Sequence, residues 1–229
     1  MVDRLRAIGF PLLAALGVLA ASLWAFGLLA ENVIEDETGS DQRLADWLHG
    51  QATDPFTDLF RSITFLGNFA TLLVVTLVAV AVLWRRRERT AALFVALAFV
   101  GGQVLSNGMK LGFRRERPFF PDPLATASTF SFPSGHALVS LTVYGALAVV
   151  LARHLSSTRY RALLFAGTAV LVLVIGFSRL YLGVHFLSDV LAGFAAGLAW
   201  LSLLFVVLLF REARTGRQYE GWPQTKSPR

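Results

Sequence analysis

The sequence predicts an all-α, polytopic membrane protein with six transmembrane helices and one short interfacial helix. Three observations carry that prediction. Hydrophobic residues make up 55% of the 229-residue chain and charged residues only 16%, against about a quarter charged in a soluble domain. Mean hydropathy is +0.59. The charges are also segregated, because four runs of 20 to 22 residues carry none. A helix needs roughly 20 apolar residues to cross about 30 Å of hydrocarbon. Runs of that length satisfy their backbone in lipid as helices.

The first span is Phe10–Ala30. Arg4 and Arg6 precede it, as in a signal peptide. Its apolar core is longer than the usual ~7–15 residues and no small-x-small site follows, so it is read as a retained span. The segment from Glu31 to Phe60 then holds eight acids and one arginine. Within it Asp54-Pro55 reads as a helix cap followed by proline at the first helical position. Phe56, Leu59, Phe60 and Ile63 recur at helical spacing, which predicts a short amphipathic helix on the outer leaflet. A plain solvated loop is the alternative. Ile63–Trp84 and Thr90–Met109 are the second and third spans. Ala137–Ala152 and Ala162–Ser178 are shorter, at 16 and 17 residues. Both abut polar motifs and are expected to cross with one end in the interface. Val190–Phe210 is the sixth span, and residues 211–229 form a basic tail. Residues 1–229 read as one domain. There is no cysteine, which excludes disulfides and thiolate chemistry.

Six spans put both termini on one side. The loops of that side carry 14 of the 21 Lys and Arg residues. Positive charge marks the cytoplasmic face, so both termini are expected there. Five of the seven remaining basic residues sit at two span ends on the other, outer side: Lys110, Arg114, Arg115 and Arg117, and Arg179. One explanation is that they snorkel to the interface as anchors. Three motifs speak against it.

The first is K-x6-R-P, Lys110 to Arg117-Pro118. On a helix two cations seven apart share a face, and Pro118 ends the element at Arg117. An arginine fork plus a lysine point charge suits a phosphate. The second is Pro133-Ser134-Gly135-His136, just before the fourth span. Helix-start N–H groups attract anions, glycine lets an anion approach the backbone, and Ser134 adds a hydroxyl. Plain helix capping by Ser134 is the alternative. The third is S-R-x5-H-x3-D, Ser178-Arg179 to His185 and Asp189. A carboxylate four residues on, one turn of the sixth helix away, can hold Nδ1–H and turn the Nε2 lone pair outward. That prepares a histidine as a nucleophile. A stray polar pair at a helix start is the alternative. All three motifs fall on the predicted outer face. His154 falls on the cytoplasmic side beside Arg153 and reads as anchoring charge.

The three motifs, in this order, resemble the signature of the type-2 phosphatidic acid phosphatase superfamily, and six spans resemble its membrane lipid-phosphatase branch. The resemblance covers about Lys110 to Asp189. It implies that His185 attacks phosphorus to give a phosphohistidine, that Asp189 orients it, and that His136 protonates the leaving oxygen and then activates water. Lys110, Arg117, Ser134, the Gly135 N–H and Arg179 would hold the phosphoryl oxygens. Arg114 and Arg115 lie at variable positions of the signature. No role carries over to them, and a second phosphate or interfacial anchoring are both open.

No cofactor is expected. Glu116, Asp122 and Asp189 are the few acids near five basic residues, a poor set for magnesium, so hydrolysis is expected without a metal. The expected partners are the bilayer and a lipid phosphate: undecaprenyl pyrophosphate, phosphatidylglycerol phosphate or phosphatidate. Nucleic acid is not expected. The compact, Ala/Leu/Arg-rich chain suggests a bacterial inner membrane, with the site on the periplasmic face. Two rival readings are a non-hydrolytic lipid-phosphate carrier and a vanadate-dependent haloperoxidase-like enzyme.

Overall fold

The computed structural model describes residues 2–35 and 39–215; most of the basic tail lies outside the described residues. The described part is helical, in eight helices: α1 Val2–Ile34, α2 Gly39–Gly50, α3 Asp54–Thr64, α4 Phe69–Arg85, α5 Arg89–Phe113, α6 Gly135–Ala152, α7 Thr158–Tyr181 and α8 Leu187–Thr215. Five helices (α1, α5, α6, α7 and α8) are each long and apolar enough to cross a membrane. A sixth candidate span, at the position expected for the second, is not one straight helix. α3 and α4 meet at a 44° bend through the 3-10 turn Phe65–Gly67, and together they have the length of a span. Asn68 explains the break, since its side chain caps α4 by accepting from the Thr71 N–H at 2.7 Å.

A short helix is therefore present where the amphipathic one was expected, but it is joined to α4 through a bend rather than separate from it. Its cap is Thr53, with Asp54 and Pro55 inside the first turn. Phe56 and Leu59 are exposed, while Phe60 packs on Phe177 and Tyr181 of α7. Helix α2 was not anticipated. Its buried residues Asp41, Ala45 and Leu48 lie on one face, at the i, i+4, i+7 spacing of an amphipathic helix.

Helices α6 and α8 form the centre, with α1 and α5 packed on α8, α5 and α7 on α6, and α4 on α5. Between lipid-bathed helices, close contact rather than hydrophobic exclusion drives packing, so small residues gather there. Gly193 and Gly197 of α8 face α6. A Cβ on Gly193 would lie 2.6 Å from the Ser134 carbonyl oxygen, and one on Gly197 would lie 3.0 Å from that of Leu138. The end of the bundle where α4 stops and α5 starts is filled by Leu83, Phe94, Val95, Val150, Leu204 and Leu208. The polar side chains described next occupy the opposite end.

Candidate active site

Each motif is brought to the same end of the bundle by a local stop signal. Helix α5 ends at Phe113, where Arg114 adopts a left-handed conformation (φ 51°) and its N–H bonds the Lys110 carbonyl. Arg117 is therefore not on the helix, contrary to the shared-face expectation; it lies in the irregular chain that follows. Lys110 and Arg117 still converge, because both donate to the Phe130 carbonyl. Helix α7 ends in a Schellman turn. Gly183 has φ 67°, its N–H bonds Leu180 O, and the Val184 N–H bonds Arg179 O. That turn returns the chain so that His185 follows Arg179 at the same end. Helix α6 starts at Gly135 with Ser134 as N-cap. Its start is tied to α8 by a 2.9 Å bond from the Ser134 N–H to the Asp189 carbonyl.

His185 is 2% exposed and Asp189 fully buried. His185 precedes α8 rather than lying on it, and Asp189 reaches back from the first turn. Asp189 Oδ2 faces His185 Nδ1 at 3.3 Å. The same oxygen accepts from the Phe186 N–H at 2.9 Å and from the Ser131 hydroxyl. On the other side of the ring, Arg117 donates to Nε2 at 3.2 Å. A guanidinium has no acceptor, so Nε2 carries the lone pair and Nδ1 the proton. Burial holds the imidazole far below its usual range, at about 3; Asp189 works against that shift, and Arg117 and Arg179 add to it. The ring is thus neutral at physiological pH, with its lone pair directed at cations.

The cations are not anchors at the surface. Lys110 is 8% exposed and Arg179 is 7% exposed. Lys110 bonds the carbonyls of Phe130 and Ser131. Arg117 donates to Thr129 O, Thr129 Oγ1, Phe130 O and Val184 O as well as to the ring. Burial lowers its pKa, with Asp189 opposing. Arg179 donates to Thr64 Oγ1 at 2.7 Å. Its Nε is buried without a hydrogen-bond partner, and so is Ser134 Oγ. Ser134 makes no side-chain cap bond, so plain capping does not account for its hydroxyl. His136, in the first turn of α6, is close enough to His185, Arg179, Arg117 and Lys110 to interact with them electrostatically. Its ring edge lies against Gly67, where a Cβ would come within 3.0 Å of Cδ2. Gly135 is beside Lys110 Cε. All eight residues singled out in the sequence therefore gather at one end of the bundle. Among the described residues no group of three His, Cys, Asp or Glu could hold a metal ion.

A model of one known family, the PAP2 superfamily, matches residues 89–213. The chain belongs to the PAP2 superfamily. It is 35% identical over 156 residues to phosphatidylglycerophosphatase B of Bacillus subtilis (strain 168), a match spanning 68% of this chain and 75% of that protein. It is 33% identical over 147 residues to an undecaprenyl-diphosphatase of Sulfolobus acidocaldarius, covering 62% and 66% of the two chains. A lipid A 1-phosphatase of Rhizobium johnstonii is 34% identical over 149 residues, covering 59% of this chain and 54% of the relative. Among solved structures, the transmembrane PAP2-type phosphatidylglycerolphosphate phosphatase of Bacillus subtilis superposes with a TM-score of 0.76 at 29% identity, over 82% of this chain and 94% of that one.

The PAP2 match begins at α5, yet two residues from before it reach the site. Thr64 meets Arg179. Asp41, on α2, accepts from the Ser188 N–H at 3.1 Å and from Arg115 at 2.9 Å. Arg115 in turn donates to Asp189 Oδ1 at 2.6 Å and to Ser188 Oγ at 2.7 Å. Asp41, Ser131, Thr64, Ser188 and Arg115 were not assigned to the site from sequence. Arg115 carried a signal, since a basic residue beside a span end on the acid-rich side needs a counter-charge if it is buried. Arg114 differs: it is exposed, and its side chain bonds back to its own helix end, at Leu111 O. His154 lies at the far end, where it meets Glu88 at 3.5 Å.

Proposed function

We propose that this PAP2 membrane phosphatase hydrolyses a lipid phosphate at a periplasmic-face site, by way of a phosphohistidine on His185. The observation that carries the reading is a charge imbalance. Lys110, Arg115, Arg117 and Arg179 stand against two carboxylates, Asp41 and Asp189. Burying uncompensated charge costs several kcal/mol per ion, by order of magnitude, and a phosphate monoester dianion would offset it.

The steps are those the family resemblance implies, set on the geometry described above. As substrate arrives, Arg117 transfers its N–H from Nε2 to a phosphoryl oxygen, which frees the lone pair. Nε2 attacks phosphorus in line and the bond to the lipid oxygen breaks. His136 gives that oxygen a proton. Asp189 balances the positive charge growing on the imidazole. Water then attacks phosphorus, His136 takes its proton, and the N–P bond breaks to release phosphate. Arg179 Nε and Ser134 Oγ, with the Gly135 N–H at the start of α6, supply donors for the equatorial oxygens. No step needs a metal.

A site at a bundle end accepts a headgroup while its tail stays in hydrocarbon, which favours a lipid over a soluble sugar phosphate. The names of the relatives support phosphatidylglycerol phosphate, undecaprenyl pyrophosphate and a lipid A phosphate alike; phosphatidylglycerol phosphate, polyprenyl pyrophosphate and phosphatidate serve as the three test substrates. The loop charges favour both termini in the cytoplasm, the compact Ala/Leu/Arg-rich composition favours a bacterial inner membrane, and residues 1–229 are taken as one working domain. The test is phosphate release by purified protein in detergent with these three substrates and excess chelator, beside His185→Ala. Release by the wild type and none by the variant is expected. Release by the variant, or a wild-type requirement for a divalent ion, would refute the reading.

A further inference from the structure

We propose that Asp41 and Arg115 form a positioning pair that holds Asp189, and through it the His185 ring, in the attacking orientation. The proposal rests on the lipid phosphatase reading above. Arg115 is a buried side chain, 8% exposed. One guanidinium nitrogen bonds Asp189 Oδ1 and the other Asp41 Oδ2, a fork that a point-charge cation cannot match. Its face lies 4.3 Å from the Phe186 ring, which leaves it little freedom to turn. Asp41 in turn holds both the N–H and the hydroxyl of Ser188, the residue beside Asp189.

The two oxygens of Asp189 therefore have separate tasks. Oδ2 meets Nδ1 of His185. Oδ1 bonds Arg115 and, among the described residues, no other side chain. The Phe186 N–H and the Ser131 hydroxyl hold Oδ2 as well, so losing the grip on Oδ1 loosens the carboxylate's orientation toward the ring without releasing it. Asp41 adds a second effect. It cancels the charge of Arg115, so the negative charge of Asp189 remains available to the imidazole as the N–P bond forms. Among the described residues the guanidinium of Arg115 bonds Asp189, Asp41 and Ser188. It acts through Asp189 and not on a second phosphate.

The experiment compares the full chain in detergent with Arg115→Gln, Arg115→Lys, Asp41→Asn and the double variant Asp41→Asn/Arg115→Gln. Dioctanoyl phosphatidate and farnesyl pyrophosphate are the probes, inorganic phosphate is the competitive inhibitor, and His185→Ala is the control. Loss of orientation by a supporting residue lowers turnover about 10- to 100-fold. Arg115→Gln is expected to lower kcat by that factor equally for both probes, with KM and phosphate inhibition within about threefold of wild type. Arg115→Lys should regain part of the loss. The double variant should lose less than the product of the single effects, because each single change strands a buried charge and the double does not. An unchanged kcat would overturn the proposal. So would a rise in KM confined to farnesyl pyrophosphate, which would make Arg115 a ligand of the second phosphate. If Arg115→Gln does not fold, Asp41→Asn and the double variant carry the same test. Failure of all three to fold would overturn the proposal too, by making the pair a structural tie alone. An active His185→Ala would instead sink the phosphohistidine reading and leave the pair's effect on kcat a separate result.

Discussion

Replacing Gly193 by alanine tests whether helix packing sets the chemistry. The new Cβ would stand 2.6 Å from the Ser134 carbonyl oxygen and 3.0 Å from Ala137 Cβ. The first distance is 0.8 Å short of the 3.4 Å at which ordinary contact begins. The obstacle is backbone, so no side chain can rotate out of the way. The start of α6 must move from α8 by most of an ångström, carrying Ser134, Gly135 and His136 away from His185 and Asp189. A displacement of about 1 Å in a reacting constellation costs on the order of 100-fold in rate. Overpacking of this kind costs about 1–3 kcal/mol of stability. The assay is kcat for phosphate release by purified Gly193→Ala, with its Tm in the same detergent. Gly167→Ala is the control, because a Cβ there meets nothing within 4 Å. A Gly193→Ala protein with wild-type kcat would refute the claim that this contact sets the spacing of the site.

Two further predictions concern protons and orientation. His185 is held neutral down to about pH 3 by burial, whereas an unfolded histidine takes up its proton near 6.5. Between those values the unfolded chain binds more protons, so the contribution of this residue to stability falls as pH falls. Wild-type Tm should therefore drop more steeply than that of His185→Ala from pH 6.5 to 4; parallel curves would contradict the buried neutral ring. The chain has no cysteine, so single cysteines report topology directly. Asp122→Cys, at an exposed position beside the site, should react with a membrane-impermeant thiol reagent in intact cells. Arg86→Cys, at the other end, should react only after permeabilisation, and the reverse pattern would invert the proposed orientation.

The spans were legible because uncharged length in lipid admits few structures. The site was legible because its residues recur at short fixed spacings next to span ends. Other features depended on contacts far apart in sequence. Pro118 suggested a helix running to Arg117, but the left-handed Arg114 ends it four residues after Lys110. His185 and Asp189 have helical spacing, yet the Gly183 turn puts the histidine ahead of the helix. Arg115 looked like an anchor or a second phosphate ligand. Its partners are 74 residues away on either side, a relation that no local pattern encodes. The apolar face of α2 did have a local pattern, but the acids around it obscured it.

The half of the bundle away from His136 and His185 is packed with the buried apolar side chains of Leu83, Phe94, Val95, Val150, Leu204 and Leu208. An ion entering that dry interior would have to shed its hydration without replacement, at a cost far beyond thermal reach. Inorganic phosphate cut from a headgroup must therefore leave through the mouth by which the headgroup came. Among the described residues that packing makes the bundle a cul-de-sac, in which the severed anion returns to the water on the side from which its headgroup came.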